Sequence, residues 1–152
     1  MTENPTSRRP AHESLGLLLS LVRSEIVRAM QVELAARKLP LSFTQFLILK
    51  RLARCGAMTA TELARAVELD RGAMTRQLDR LEQAGYLKRT PHAADRRALH
   101  IALTPTGEAL WRELIDCNAR VLDAAQHTLS RDERAHLVDY LERVLAALRT
   151  PH

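Results

Sequence analysis

Aromatic residues are scarce in this chain: Phe43, Phe46, Tyr86, Trp111 and Tyr140 are all that 152 positions contain. A core must then be assembled from Leu, Ala, Val and Ile, which suits helices packed on helices. Cysteine is nearly absent. Cys55 and Cys117 stand far apart with no CxxC spacing, so neither a disulfide framework nor a zinc site is expected. Both are read as small buried hydrophobes, with a redox switch as the alternative. Long apolar runs are missing: residues 15–22 are closed off by Arg23, Glu25 and Arg28, well short of the ~20 residues of a membrane span. With no signal-peptide pattern at the N-terminus, a soluble cytoplasmic protein is expected. GxSxG, P-loop, HExxH and GxGxxG patterns do not occur, and the six histidines (12, 92, 100, 127, 136 and 152) form no HxxH-type cluster. These absences argue against an enzyme, a metal and a cofactor.

What is present is a modest basic bias, net charge +5, distributed unevenly. Residues 1–58 carry nine Arg/Lys against four Glu, residues 59–105 eight against six, and residues 106–152 six against eight. That gradient fits a protein with one face turned toward a polyanion and one turned away. The length allows one compact domain or two small interlocked lobes.

Along the chain, residues 1–12 are polar, hold Pro5, Pro10 and Arg8-Arg9, and read as a flexible arm. From Ser14 the apolar positions Leu15, Leu18, Leu19, Val22, Ile26, Ala29, Met30 and Leu34 recur at helical spacing, and Pro40 marks the stop. Leu17 and Leu21 widen that stripe beyond what one side needs. Ser42-Phe43-Thr44-Gln45 is a capping box, with Leu41 and Phe46 at the positions of a hydrophobic staple, and Gly56 closes the helix. A second box, Thr59-Ala60-Thr61-Glu62, opens a short helix with Leu63, Ala64 and Val67 inward. Asp70 caps the next helix, which turns Met74, Leu78 and Leu81 inward and ends at Gly85. Residues 59–85 are therefore a candidate helix-turn-helix, whose second helix is suited to a DNA major groove.

The period then changes to two. Leu99, Ile101 and Leu103 alternate with Ala98, His100 and Ala102, which predicts a half-buried strand paired with residues 86–90 across a loop of residues 91–97. A hairpin directly after a recognition helix is a wing. Thr104-Pro105 starts another helix running to about His127, with Leu110, Trp111, Leu114 and Ala125 among its apolar members. Ser130-Arg131-Asp132-Glu133 is a third capping box, followed by Leu137, Leu141, Val144 and Leu148 at spacings of four, three and four. This near-heptad seam predicts pairing with a second chain; folding back on the first helix is the alternative.

The stretch LDRGAMTRQLDRLEQAGYLKR from Leu69, followed by ADRRALHIALTPTG within this helical frame, resembles the MarR/SlyA family of transcriptional regulators. The likeness runs from about Leu15 to Leu148. It implies a mainly α fold with a small β-hairpin wing: a winged helix-turn-helix lobe at residues 41–104 and a helical dimerisation region at residues 13–40 and 105–150. It also implies a cytoplasmic homodimer reading an inverted-repeat operator in double-stranded DNA, in the family's commoner mode a repressor. A small aromatic or phenolic effector is implied between dimer interface and lobe. A winged-helix module without ligand sensing, one that binds protein instead of DNA, and a redox-responsive regulator are the alternatives.

On that reading Arg76 reaches guanine O6/N7 with its guanidinium fork, or holds a phosphate. Gly72, Ala73 and Thr75 are small enough to let the helix sit deep. Arg71 and Arg80 are assigned to phosphates, and Lys88 and Arg89 to the DNA backbone at the hairpin base. In the wing, the two-residue spacing puts Asp95 and Arg97 on one side of an extended strand, where the carboxylate can orient the guanidinium. The resemblance sends Arg97, or Arg96, into the minor groove. Asp95–Arg97 as a purely structural ion pair is the alternative. For the effector, Met30, Phe43, Phe46, Leu47 and Trp111 are the candidate pocket residues, with plain core as their other reading.

Overall fold

Three helices of this chain end in the same way, and those endings set its shape. In a computed structural model, which describes residues 11–91 and 98–150, α1 (Ala11–Ala36), α3 (Ala60–Val67) and α4 (Arg71–Gln83) each stop at a left-handed residue. These are Lys38 (φ 57°), Glu68 (φ 56°) and Gly85 (φ 82°). The amides of Leu39, Leu69 and Tyr86 then reach back to the carbonyls of Leu34, Ala64 and Leu81, closing otherwise orphaned acceptors. Helix α1 thus ends before Pro40, and Lys38 rather than the proline turns the chain. The starts are equally local. Ser42, Thr59 and Ser130 form reciprocal capping boxes with Gln45, Glu62 and Glu133 at the heads of α2 (Phe43–Cys55), α3 and α6 (Arg131–Arg149). All three boxes were legible in the sequence.

The sheet has three antiparallel strands rather than two, in the order β1-β3-β2. Strands β2 (Leu87–Pro91) and β3 (Leu99–Leu103) form the hairpin, and Met58–Thr59 adds β1 on the other side of β3. Met58 lies opposite Ile101 and Thr59 opposite His100. Pro91, expected in the loop, pairs with Leu99. Of the expected inward row, Ile101 is buried and Leu103 half-buried, but Leu99 is 48% exposed. It sits at the outer end of the hairpin, beyond the helices beneath the sheet.

Leu103 leads into α5 (Pro105–Ala125) through a junction that explains the Thr-Pro-Thr-Gly pattern. The Thr104 hydroxyl donates to the Gly85 carbonyl and accepts from the Gly107 amide, while the Thr104 amide donates to the Tyr86 carbonyl. Gly107 is buried against that same carbonyl, and any Cβ there would collide with it.

One core joins the elements. Met30, Leu34, Phe46, Leu49, Leu63, Met74, Leu78, Ile101 and Leu114 are essentially inaccessible within it. Cys117 belongs to this core, and burial pushes its thiol pKa up. Cys55, expected inside, is exposed at the end of α2. No residue of α6 is buried, so it does not fold back on α1. Among the described residues, no helix is long and apolar enough to cross a membrane, and no group of His, Cys, Asp or Glu is placed to hold a metal ion.

Candidate DNA interface

The Asp70 carboxylate accepts from the Ala73 amide at 2.7 Å and fixes the first turn of α4. The helix buries Met74, Leu78 and Leu81, and this rotation turns Arg71, Gly72, Thr75, Arg76 and Arg80 outward, with Ala73 half-buried. Thr75 returns its hydroxyl to the Arg71 carbonyl at 2.9 Å, which keeps it short and close to the helix. A Cβ built on Gly72 would lie 3.5 Å from Nη1 of Arg76, so that guanidinium rests along the first turn. Among the described residues Arg71, Arg76, Arg80 and Lys88 enter no ion pair. The N-terminal half of α4 is a cationic, sterically slim ridge that no carboxylate among the described residues pairs with.

Arg89 has a different position from its neighbour. Strand alternation puts it on the side of buried Leu87, facing the helices, while Lys88 points the other way. Its guanidinium donates to Asp79 at 2.8 Å and to Glu82 at 3.1 Å, both on α4. The sequence reading, which set Arg89 along the DNA backbone, missed these partners. They lie ten and seven residues away on a different element, beyond any local pattern. Asp95, Arg96 and Arg97 at the wing tip lie outside the described residues.

The five candidate effector residues do not line one cavity. Met30 and Phe46 are core, 0% and 1% exposed. Phe46 stands between Phe43 and Trp111, its ring centroid 5.8 and 6.0 Å from theirs. The two flanking rings consequently open to different sides. Phe43 and Leu47 line a groove of about 380 Å³ with Leu19, Val22, Ile26 and Val67. Trp111 lines a cleft of about 400 Å³ with Leu52, Gly56, Leu103 and Arg112. A third and larger cleft of about 800 Å³ between α1 and α5, walled by Leu21, Val22, Ile26, Val32 and Val121, was not foreseen. Its only sequence signal was the extra width of the α1 stripe. Lys50 was also not singled out; its ammonium lies 5.9 Å from the Phe46 ring centre. Burial first, then Arg54 and Arg51, lowers its pKa.

This geometry coincides with that of known proteins. A model of the MarR family matches residues 41–99, the helix-turn-helix and hairpin region. The multiple antibiotic resistance protein MarR of Salmonella typhimurium is 32% identical over 131 residues, spanning 86% of this chain and 88% of that protein. The chain belongs to the MarR family. Among solved structures, apo MarR from Escherichia coli superposes with a TM-score of 0.75 at 30% identity, covering 86% of this chain and 96% of that one. A cysteine-to-serine variant of the same protein, crystallised with operator DNA, gives 0.76 at 29% identity, covering 87% and 94%. MarR proteins are winged-helix transcriptional regulators that act by binding DNA, not enzymes. In this member the β2–β3 hairpin that follows α4 is the wing of the fold.

Proposed function

We propose that the protein is a homodimeric MarR-type repressor that reads an inverted-repeat operator and releases it when a small aromatic acid binds. The observation that carries the DNA side is the cationic ridge Arg71-Gly72-Thr75-Arg76 on the first two turns of α4. Arg76 takes the major-groove contact, Arg71 and Arg80 hold phosphates, and Lys88 follows the backbone. The minor-groove role goes to Arg97, or to Arg96, by family resemblance, with Asp95 as the partner of Arg97; all three lie outside the described residues. Residues 41–104 act as the DNA-binding lobe, and residues 13–40 with 105–150 as the dimerisation region.

Two apolar surfaces support the dimer. Leu15, Leu18, Leu21 and Val22 of α1 are 47–56% exposed, and on α6 Leu137, Leu141 and Val144 are 38–39% exposed and Leu148 78%. Apolar area left in water forfeits about 25 cal/mol per Å², and a second copy offers the same faces by two-fold symmetry. For release, Phe43 and Leu47 in the groove against α1 are the retained effector contacts. Met30 and Phe46 belong to the core and Trp111 lines the separate cleft, so these three drop out of the proposed effector contacts. BpsR of Bordetella bronchiseptica, 27% identical with a TM-score of 0.74 over 88% of this chain and 98% of that one, is described as regulated in DNA binding by 6-hydroxynicotinic acid.

Sedimentation of the protein alone and with a labelled duplex from its own upstream region tests the reading. The expected result is a dimer that binds one duplex, with affinity falling steeply as salt rises and falling again on addition of an aromatic acid. A monomer, or a salt-independent complex, contradicts it.

A further inference from the structure

Among the described cations of α4 and the wing strands, Arg89 is the one held in ion pairs by carboxylates of its own chain. We infer that it is a positioning residue for DNA recognition: it locks the wing to the recognition helix and masks two carboxylates that would otherwise oppose phosphate. The first part rests on geometry. One guanidinium projects from β2 and donates through Nη2 to Asp79 and through Nη1 to Glu82, so a single planar fork spans two elements. A fork engaged at both prongs fixes orientation as well as distance. Arg89 also lies on the inner face of the sheet, two residues from buried Leu87, and its side chain is only 26% exposed. That is a place for a strut.

The second part rests on helix periodicity. Asp79 follows Thr75 by four residues and Arg76 by three, and Glu82 follows Asp79 by three, so the carboxylates continue the row that begins with the DNA-facing residues. Two bare negative charges on that row would repel the DNA backbone and weaken its approach. Paired with Arg89, they hold the wing instead. The inference deepens the assignment of α4 to DNA and depends on it.

The test is a thermodynamic cycle on operator binding. Arg89→Gln is measured in the wild-type background and in Asp79→Asn/Glu82→Gln, with fluorescence anisotropy at fixed salt and hydroxyl-radical footprints of each complex. A positioning role predicts a loss of affinity on the order of tenfold in the first background and little further loss in the second. It also predicts that protection fades at the wing-flanking positions while the central positions stay protected. A direct phosphate contact predicts the reverse: the loss persists or grows once the carboxylates no longer compete, and the salt slope drops by about one. That outcome overturns the inference, and so does an unchanged affinity in the wild-type background. If Arg89→Gln does not fold, Arg89→Lys carries the same cycle, since lysine keeps the charge and loses the fork. Failure of the wild-type protein to bind DNA would instead remove the assignment of α4, a result separable from failure of the cycle.

Discussion

Gly107→Ala is the sharpest structural perturbation available, because one added methyl group decides between two opposite expectations. Gly107 occupies the third position of α5, where alanine would ordinarily be the better helix former by about 1 kcal/mol. Its missing side chain, however, faces the backbone carbonyl of Tyr86, and a Cβ at that site overlaps the oxygen. Backbone cannot step aside as a flexible side chain does. The start of α5 must back away from the turn after α4, stretching the bond from the Thr104 amide to the Tyr86 carbonyl, now 3.0 Å. Overpacking of this kind costs about 1–3 kcal/mol, and a weakened hydrogen bond adds about 1 kcal/mol. Set against the propensity gain, the net loss is about 2 kcal/mol. Urea unfolding at fixed protein concentration should show a lower midpoint at unchanged slope, with a melting temperature lower by roughly 4–8 °C. Gly16→Ala is a comparison within the chain, since nothing of its own chain lies within 4 Å of a Cβ there and the same propensity gain acts without an intrachain clash. If Gly107→Ala is as stable as the wild type, or more so, the account of the Thr-Pro-Thr-Gly junction is wrong.

Three further outcomes follow from other sites. Leu141→Lys with Val144→Lys on α6 should yield a folded monomer by sedimentation, because neither side chain belongs to the core of its own chain; an intact dimer would move the interface elsewhere. Glu68→Gly should raise stability by up to about 1 kcal/mol in urea unfolding, since glutamate holds a left-handed φ of 56° that glycine adopts freely; a loss would assign the Glu68 side chain a stabilising contact. In the native protein a thiol reagent should modify Cys55 quickly and Cys117 only after unfolding, given their exposure and the raised pKa of Cys117; equal rates would contradict the packing of α5 into the core.

Much of this fold could be read from the sequence because its decisive signals are short-range. A capping box spans four residues, as at Ser42, Thr59 and Ser130, and helical periodicity needs only one element to be visible. The same holds for α4, whose Asp70 cap and inward Met74, Leu78 and Leu81 leave only one face for the arginines. What escaped the sequence is non-local. Met58–Thr59 becomes a strand only because β3 passes beside it, and two residues carry no alternation of their own. Arg89 looked like Lys88 until the sheet face and the two acidic partners on α4 were known. Phe43, Phe46 and Trp111 resembled a pocket by composition, yet Phe46 fills the space between the other two and separates their surroundings. Leu99 kept the inward parity of its strand but lies past the end of what the helices cover.

The central claim is that the first turns of α4 read base sequence. It is tested most directly by titrating the wild type and Arg76→Ala against a duplex from the protein's own upstream region and against unrelated DNA of equal length. The wild type should prefer the upstream duplex by orders of magnitude. Arg76→Ala should lose about 1–3 kcal/mol of that discrimination, roughly tenfold to a hundredfold, while its folding and sedimentation stay unchanged. A wild type without preference, or an Arg76→Ala variant with full preference, would contradict the account.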